Sequence, residues 1–107
     1  MEFMIKEAKE DKELRVTLVG KLDFARAPLL VQDLDFWKGQ DIRSIIFECD
    51  QLTYLSSAGI RAIIYAHQKI SPGVSIVLEN VTEDVYEVVD MCGLSDFTVS
   101  SNDGGKT

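Results

Sequence analysis

Two adjacent hydroxyls, Ser56 and Ser57, stand where an apolar run gives way to a helical pattern. A helix start leaves backbone N–H groups unpaired and carries partial positive charge. A phosphate placed there is stabilised rather than expelled. A serine at that point can also act as an N-cap, its hydroxyl accepting from the N–H two or three residues on. The two roles are compatible, since a capping serine can be phosphorylated. Ala58 and Gly59 follow, and both are small. A glycine in a first helical turn costs about 1 kcal/mol relative to alanine. Close approach of a partner would explain it, and so would tight packing on a sheet.

Other reactive groups are sparse. The single histidine, His67, lies ten residues beyond Ser57. Along one helix, at ~1.5 Å per residue, that is roughly 15 Å, too far for a nucleophile–base pair. It reads as a histidine at the edge of the core. Glu48 and Asp50 share one side of a strand end at i and i+2. Paired carboxylates could hold a metal or move a proton, which leaves a small metal-assisted hydrolase as one reading. Solvated loop carboxylates are the plainer one. Cys49 and Cys92 lack C-x-x-C spacing, and one histidine cannot complete a zinc site with them. Both read as small core residues of a protein kept in a reducing cytoplasm. The glycines build neither G-x-G-x-x-G nor a P-loop, so no nucleotide cofactor is expected.

The chain has 107 residues, 46% of them hydrophobic, which suits one domain with one core. A domain of that size loses stability to any large cavity, which favours binding over elaborate catalysis. Net charge is −7, and Lys and Arg form no cluster. Nucleic-acid binding is excluded on that ground. Basic or neutral protein surfaces suit it better, because opposite charge speeds encounter. The N-terminus carries no long apolar run, and no stretch approaches the ~20 apolar residues of a membrane span.

The elements that would position these groups follow from periodicity. Residues 4–7 suit a short edge strand, and Asp11, Lys12 and Glu13 a charged turn. Residues 14–22 alternate with period two, as a half-buried strand does. Pro28 fits a first helical turn, and Leu30, Leu34 and Trp37 share one helical face up to Gly39. Residues 43–49 read as a strand covered on both faces. Ile60, Ile63, Ile64 and His67 mark a second helix, stopped by Ser71, Pro72 and Gly73. A strand at 74–78 follows, then a third stripe of Val81, Val85, Val88, Val89 and Cys92 ending at Gly93. Phe97, Thr98 and Val99 suit a last short strand, and residues 100–107 a disordered polar tail. The order ββαβαβα(β) predicts an α/β domain with a four- to five-stranded mixed sheet and helices mainly on one face.

Several blocks together resemble the STAS domain of anti-sigma factor antagonists. Residues 16–23 (VTLVGKLD) resemble a strand with the family's G-x-L-D ending, and residues 41–47 (DIRSIIF) its central strand. Residues 52–60 (LTYLSSAGI) are similar to the signature L-S-x-x-D-S-S/T-G-L, and residues 88–94 (VVDMCGL) to a late helix closing with a G-L turn. Ser56 stands where many members have Asp, and Ala58 where many have Ser or Thr.

The resemblance implies a STAS domain over residues 1–99 that is not an enzyme and needs no cofactor or metal. In that family an anti-sigma factor with serine-kinase activity phosphorylates a serine that falls on Ser57, with Ser56 as a competing acceptor. The unmodified form binds the anti-sigma factor, and a phosphatase, here of PP2C type, restores it. The expected partner surface is Asp23, Phe24, Thr53, Tyr54, Leu55, Ser56, Ser57, Gly59 and Arg61. A monomer or weak dimer in the cytoplasm is expected. The same fold also serves as a regulatory subunit of transport or signalling complexes, which leaves that role as the second reading.

Overall fold

The amphipathic repeats build a sheet with one helical layer. In a computed structural model, residues 3–70, 73–93 and 98–101 are described, the last four by their backbone alone. The hairpin comes first. Strands β1 (Met4–Glu10) and β2 (Glu13–Leu22) pair antiparallel, and Asp11 takes a positive φ of 56° at the turn. Helix α1 (Ala27–Asp35), strand β3 (Ser44–Leu55) and helix α2 (Ser57–Tyr65) follow, and a π-helical turn, Ala66–Ile70, extends α2. Strand β4 (Ser75–Val81), helix α3 (Glu83–Met91) and strand β5 (Thr98–Ser101) complete the described order. The sheet runs β1-β2-β3-β4-β5, with only the β1–β2 pair antiparallel.

This order dictates the layering. Each parallel step crosses through a helix and advances the same way across the sheet. Right-handed crossovers therefore stack α1, α2 and α3 on one face. Burial follows the same division. Leu14, Val16, Leu18 and Leu22 of β2, Ile45, Phe47 and Cys49 of β3, and Ile76 and Leu78 of β4 point into the helical layer, fully or almost fully buried. Leu30 and Leu34 of α1, Ile60 and Ile63 of α2, and Val85 and Val89 of α3 meet them from above. Burying each large side chain stabilises by roughly 1.5–3 kcal/mol.

The opposite face is open and mostly polar. Its centre is Arg15, which bonds Glu48 at 2.5 Å, Glu79 at 3.1 Å and Glu13 at 3.3 Å across three strands. Ile46 lies in the same register as Arg15 and is 8% exposed.

Several elements differ from expectation. The longest correction is β3, which continues through Asp50 to Leu55 instead of stopping at Cys49. Two register shifts against β2 explain why: β2 advances from Thr17 to Val19 while β3 advances from Glu48 to Gln51, and again from Gly20 to Lys21 against Leu52 to Tyr54. Each inserts one extra residue, so strict alternation fails where the strand persists. Trp37 lies beyond the end of α1, in the following turn, though still packed on the core. Cys92 is exposed, not a core residue, and Val81 belongs to β4. The last strand reaches Ser101, two residues into the expected tail, whereas Phe97 and residues 102–107 lie outside the described residues.

Candidate functional site

Leu22 ends β2 and Leu55 ends β3, and these two residues pair directly. The Leu22 carbonyl then holds the next turn in place. It accepts from the Ser56 amide at 3.0 Å and from the Ser56 hydroxyl at 3.2 Å. The same hydroxyl accepts from the Gly59 amide at 3.1 Å, and the Ser56 carbonyl accepts from the Ile60 amide at 3.0 Å. Ser56 is thus the N-cap of α2, its side chain engaged on two sides. Ser57 is the first residue of the helix and is exposed. The two hydroxyls that looked interchangeable in the sequence are separated by geometry: one is structural and one is presented to solvent.

Gly59 resolves the second ambiguity. It is buried, and a Cβ there would lie 2.8 Å from Leu55 Cδ1 and 2.9 Å from both Leu22 Cγ and the Leu22 carbonyl oxygen. The glycine exists because the helix start is pressed onto the ends of β2 and β3. Gly59 and Leu55, which is 2% exposed, therefore point inward and are not surface residues of the expected interface. Both hold the loop from below.

The remaining candidates lie on the segments that flank Ser57 in the fold: the β2–α1 turn, the end of β3 and the first turn of α2. Phe24 is 72% exposed and Tyr54 47%. Thr53 is exposed, and its hydroxyl donates to the Gly20 carbonyl at 3.1 Å, across the second register shift. Gly20 takes a φ of +94° there, a conformation that favours glycine. Asp23 is half-buried and organises the β2–α1 turn: its carboxylate accepts from the Arg26 amide at 3.0 Å and pairs with the Arg26 guanidinium at 2.8 Å. Arg26 was absent from the expected set. Its position three residues after Asp23 was the available signal. Arg61 is exposed one helical turn after Ser57, at the i,i+4 spacing that brings side chains together. The first turn of α2 contains no acidic residue. The start of α2 therefore offers a hydroxyl, a helix N-terminus and a cation one turn away, and the adjoining segments carry two exposed aromatic rings.

The alternative chemistry is not assembled. Glu48 is bound to Arg15 on the open face of the sheet, whereas Asp50 is exposed farther along the strand. Among the described residues, no group of three or more His, Cys, Asp and Glu side chains is placed to hold a metal. His67 lies in the π-helical turn, and its Nδ1 donates to the Val74 carbonyl at 3.0 Å. Cys49 is buried, and desolvation, reinforced by the nearby Asp50, pushes its thiol up to about 12. It stays protonated and unreactive at neutral pH. No helix among the described residues is long and apolar enough to cross a membrane.

Known structures share this fold. The solved structures similar to this one include an anti-sigma factor antagonist from Mycobacterium paratuberculosis, with a TM-score of 0.80 at 15% identity over 95% of this chain and 90% of that one. The antagonist SpoIIAA in its unphosphorylated form aligns with a TM-score of 0.69 at 15% identity, covering 94% and 88% of the two chains. The Bacillus cell fate determinant SpoIIAA in its phosphorylated form gives 0.69 and 15%, covering 97% and 96%. At that identity the likeness concerns the fold. No curated protein sequence gives a significant match. The sequence model of the STAS domain matches residues 4–103, nearly the whole chain, and the chain therefore belongs to the STAS domain family.

Proposed function

We propose that this chain is an anti-sigma factor antagonist: a cytoplasmic protein-binding module, not an enzyme, switched by phosphorylation of Ser57. Unphosphorylated, it binds an anti-sigma factor that is also its serine kinase. Phosphorylated, it lets go, and a PP2C-type phosphatase restores it. The observation that carries this reading is the division of labour between the serines. Ser56 is consumed as the cap, and Ser57 stands exposed at a helix N-terminus.

The physics of the switch is local. Phosphorylation adds roughly −1.5 to −2 charge and three acceptor oxygens. Those oxygens meet a favourable helix dipole, and the bonds of the cap leave the amides of Ser57 and Ala58 for them. Arg61 supplies a cation one turn on. The fold accommodates the dianion without rearrangement. A partner lying across Phe24, Tyr54 and Ser57 must instead desolvate it, at a cost of several kcal/mol. Asp23 enters through Arg26 and the turn they shape, and Thr53 through the β3 backbone it pins. Ser56 in place of the family's Asp keeps the cap, because both residue types cap well. It also removes one negative charge next to the acceptor.

The test uses a cognate anti-sigma kinase, ATP and phosphosite mapping by mass spectrometry. Phosphate is expected on Ser57 and not on Ser56. Ser57→Ala should retain kinase binding, and Ser57→Asp should weaken it at least ~10-fold, about 1.4 kcal/mol. Equal binding by both variants, or phosphate only on Ser56, overturns the reading. Co-purification with a transporter or signalling subunit and no phosphate would favour the regulatory-subunit role instead.

A further inference from the structure

We propose that β1 is a homodimerisation edge, pairing antiparallel with β1 of a second copy about a two-fold axis through Ala8. β1 is the outer strand of the sheet, so one side of its seven-residue backbone is turned away from β2. A row of unpaired N–H and C=O groups is a template for another strand. What decides the occupant is charge. Residues 4–10 read MIKEAKE, two cations and two anions, in a chain that is otherwise strongly acidic. This edge is where two copies can approach without net repulsion.

The sequence also selects the register. In a continuous sheet related by a two-fold axis, facing residues lie on the same side of the sheet. The allowed registers therefore differ by steps that move the axis one residue along β1. With the axis at Ala8, Lys6 faces Glu10 of the second copy, and Glu7 faces its Lys9. Every charged residue of the strand meets an opposite charge. Moving the axis to Glu7 sets Glu7 against itself, and moving it to Lys9 sets Lys9 against itself. Cross-strand pairs of opposite charge stabilise and like charges destabilise, so only one of these registers is favoured.

Glu7 lies on the helical side of the sheet, where its shielded Oε2 sits beside the equally shielded indole N–H of Trp37, and in the proposed register Lys9 of the second copy arrives on that side. Met4, which begins the strand, is 44% exposed. One strand pair is a small interface beside the ~1,200–2,000 Å² of a standard complex, so the dimer forms at high protein concentration.

The test is sedimentation equilibrium of the full chain up to ~1 mM at low and high salt. A monomer–dimer equilibrium that weakens with salt is expected. Lys6→Glu should raise the dimer dissociation constant at least ~10-fold, and the double variant Lys6→Glu with Glu10→Lys should restore it, because the pairs are then exchanged. In a Cys92→Ser background, Ala8→Cys should oxidise to a covalent dimer, since cross-strand Cα separations of ~4.5–5.5 Å suit a disulfide. Lys6→Cys should not. Circular dichroism checks that each variant is folded. A chain that stays monomeric at ~1 mM, or a double variant as weak as the single one, overturns the proposal.

Discussion

Ser56 and Gly59 show how a short stretch can be read two ways until its neighbours are known. Both matter because α2 begins directly over the paired ends of β2 and β3. Removing the cap with Ser56→Ala should cost about 0.5–2 kcal/mol, whereas Ser56→Asp should be nearly neutral. Adding a methyl group with Gly59→Ala meets backbone as well as side chain. The better helix propensity of alanine does not offset that clash, and a loss of about 1–3 kcal/mol is expected. Urea unfolding monitored by circular dichroism measures all three variants. If Gly59→Ala were stabilising, the close contact with Leu22 would be wrong.

Among the elements, β3 is the one that carries the site. Its first half packs Ile45, Phe47 and Cys49 into the core, and its second half, after the register shifts, delivers Ser56 to Leu22. A regular strand of period two would have ended where alternation ends, at Cys49. The extra residues are tolerated because each shift leaves Leu52 and Leu55 buried. The open face of the same strand depends on Arg15. Its guanidinium is hydrogen-bonded to Glu48 first and Glu79 second, which pushes its already high pKa higher. Arg15→Ala leaves Glu13, Glu48 and Glu79 facing one another across three strands. The network is about a third exposed, so the expected loss is small, about 1 kcal/mol at low salt. It should shrink as salt rises, which thermal unfolding at two ionic strengths will show.

At the scale of the whole molecule, net acidity and an open sheet edge set how copies meet, and pH sets part of the stability. Glu7, on β1, lies beside Asp33 and Trp37 at the end of α1. Desolvation raises its pKa above the ordinary carboxylate value, Asp33 adds to the rise, and Trp37 opposes it. The folded state thus holds this proton more tightly than the unfolded chain does. Stability from this group falls as pH climbs through the ordinary carboxylate value toward the folded one, and the penalty is fully present above it. In dilute protein, Glu7→Gln should raise the unfolding midpoint at pH 7 and leave it nearly unchanged at pH 3.5. A midpoint that falls at pH 7 would mean that the charged carboxylate is stabilising.

Hydrophobic period, turn residues and chain length determined the element order and the α/β class by themselves. Periodicity depends on local backbone geometry, and β2 and the three helices keep it over at least one stretch. The helix start at Ser56 and Ser57 was legible for the same reason, because capping is a local event. What tertiary structure alone decided was direction and contact. Which serine is consumed, why Gly59 has no side chain, why Leu55 faces inward and how far β3 runs all depend on Leu22, more than thirty residues earlier in the chain. Cys92 follows the same rule: it fits a helical stripe in sequence, yet it is the C-cap of α3 and is exposed. Contacts between residues so far apart have no local signature, so only the folded chain can reveal them.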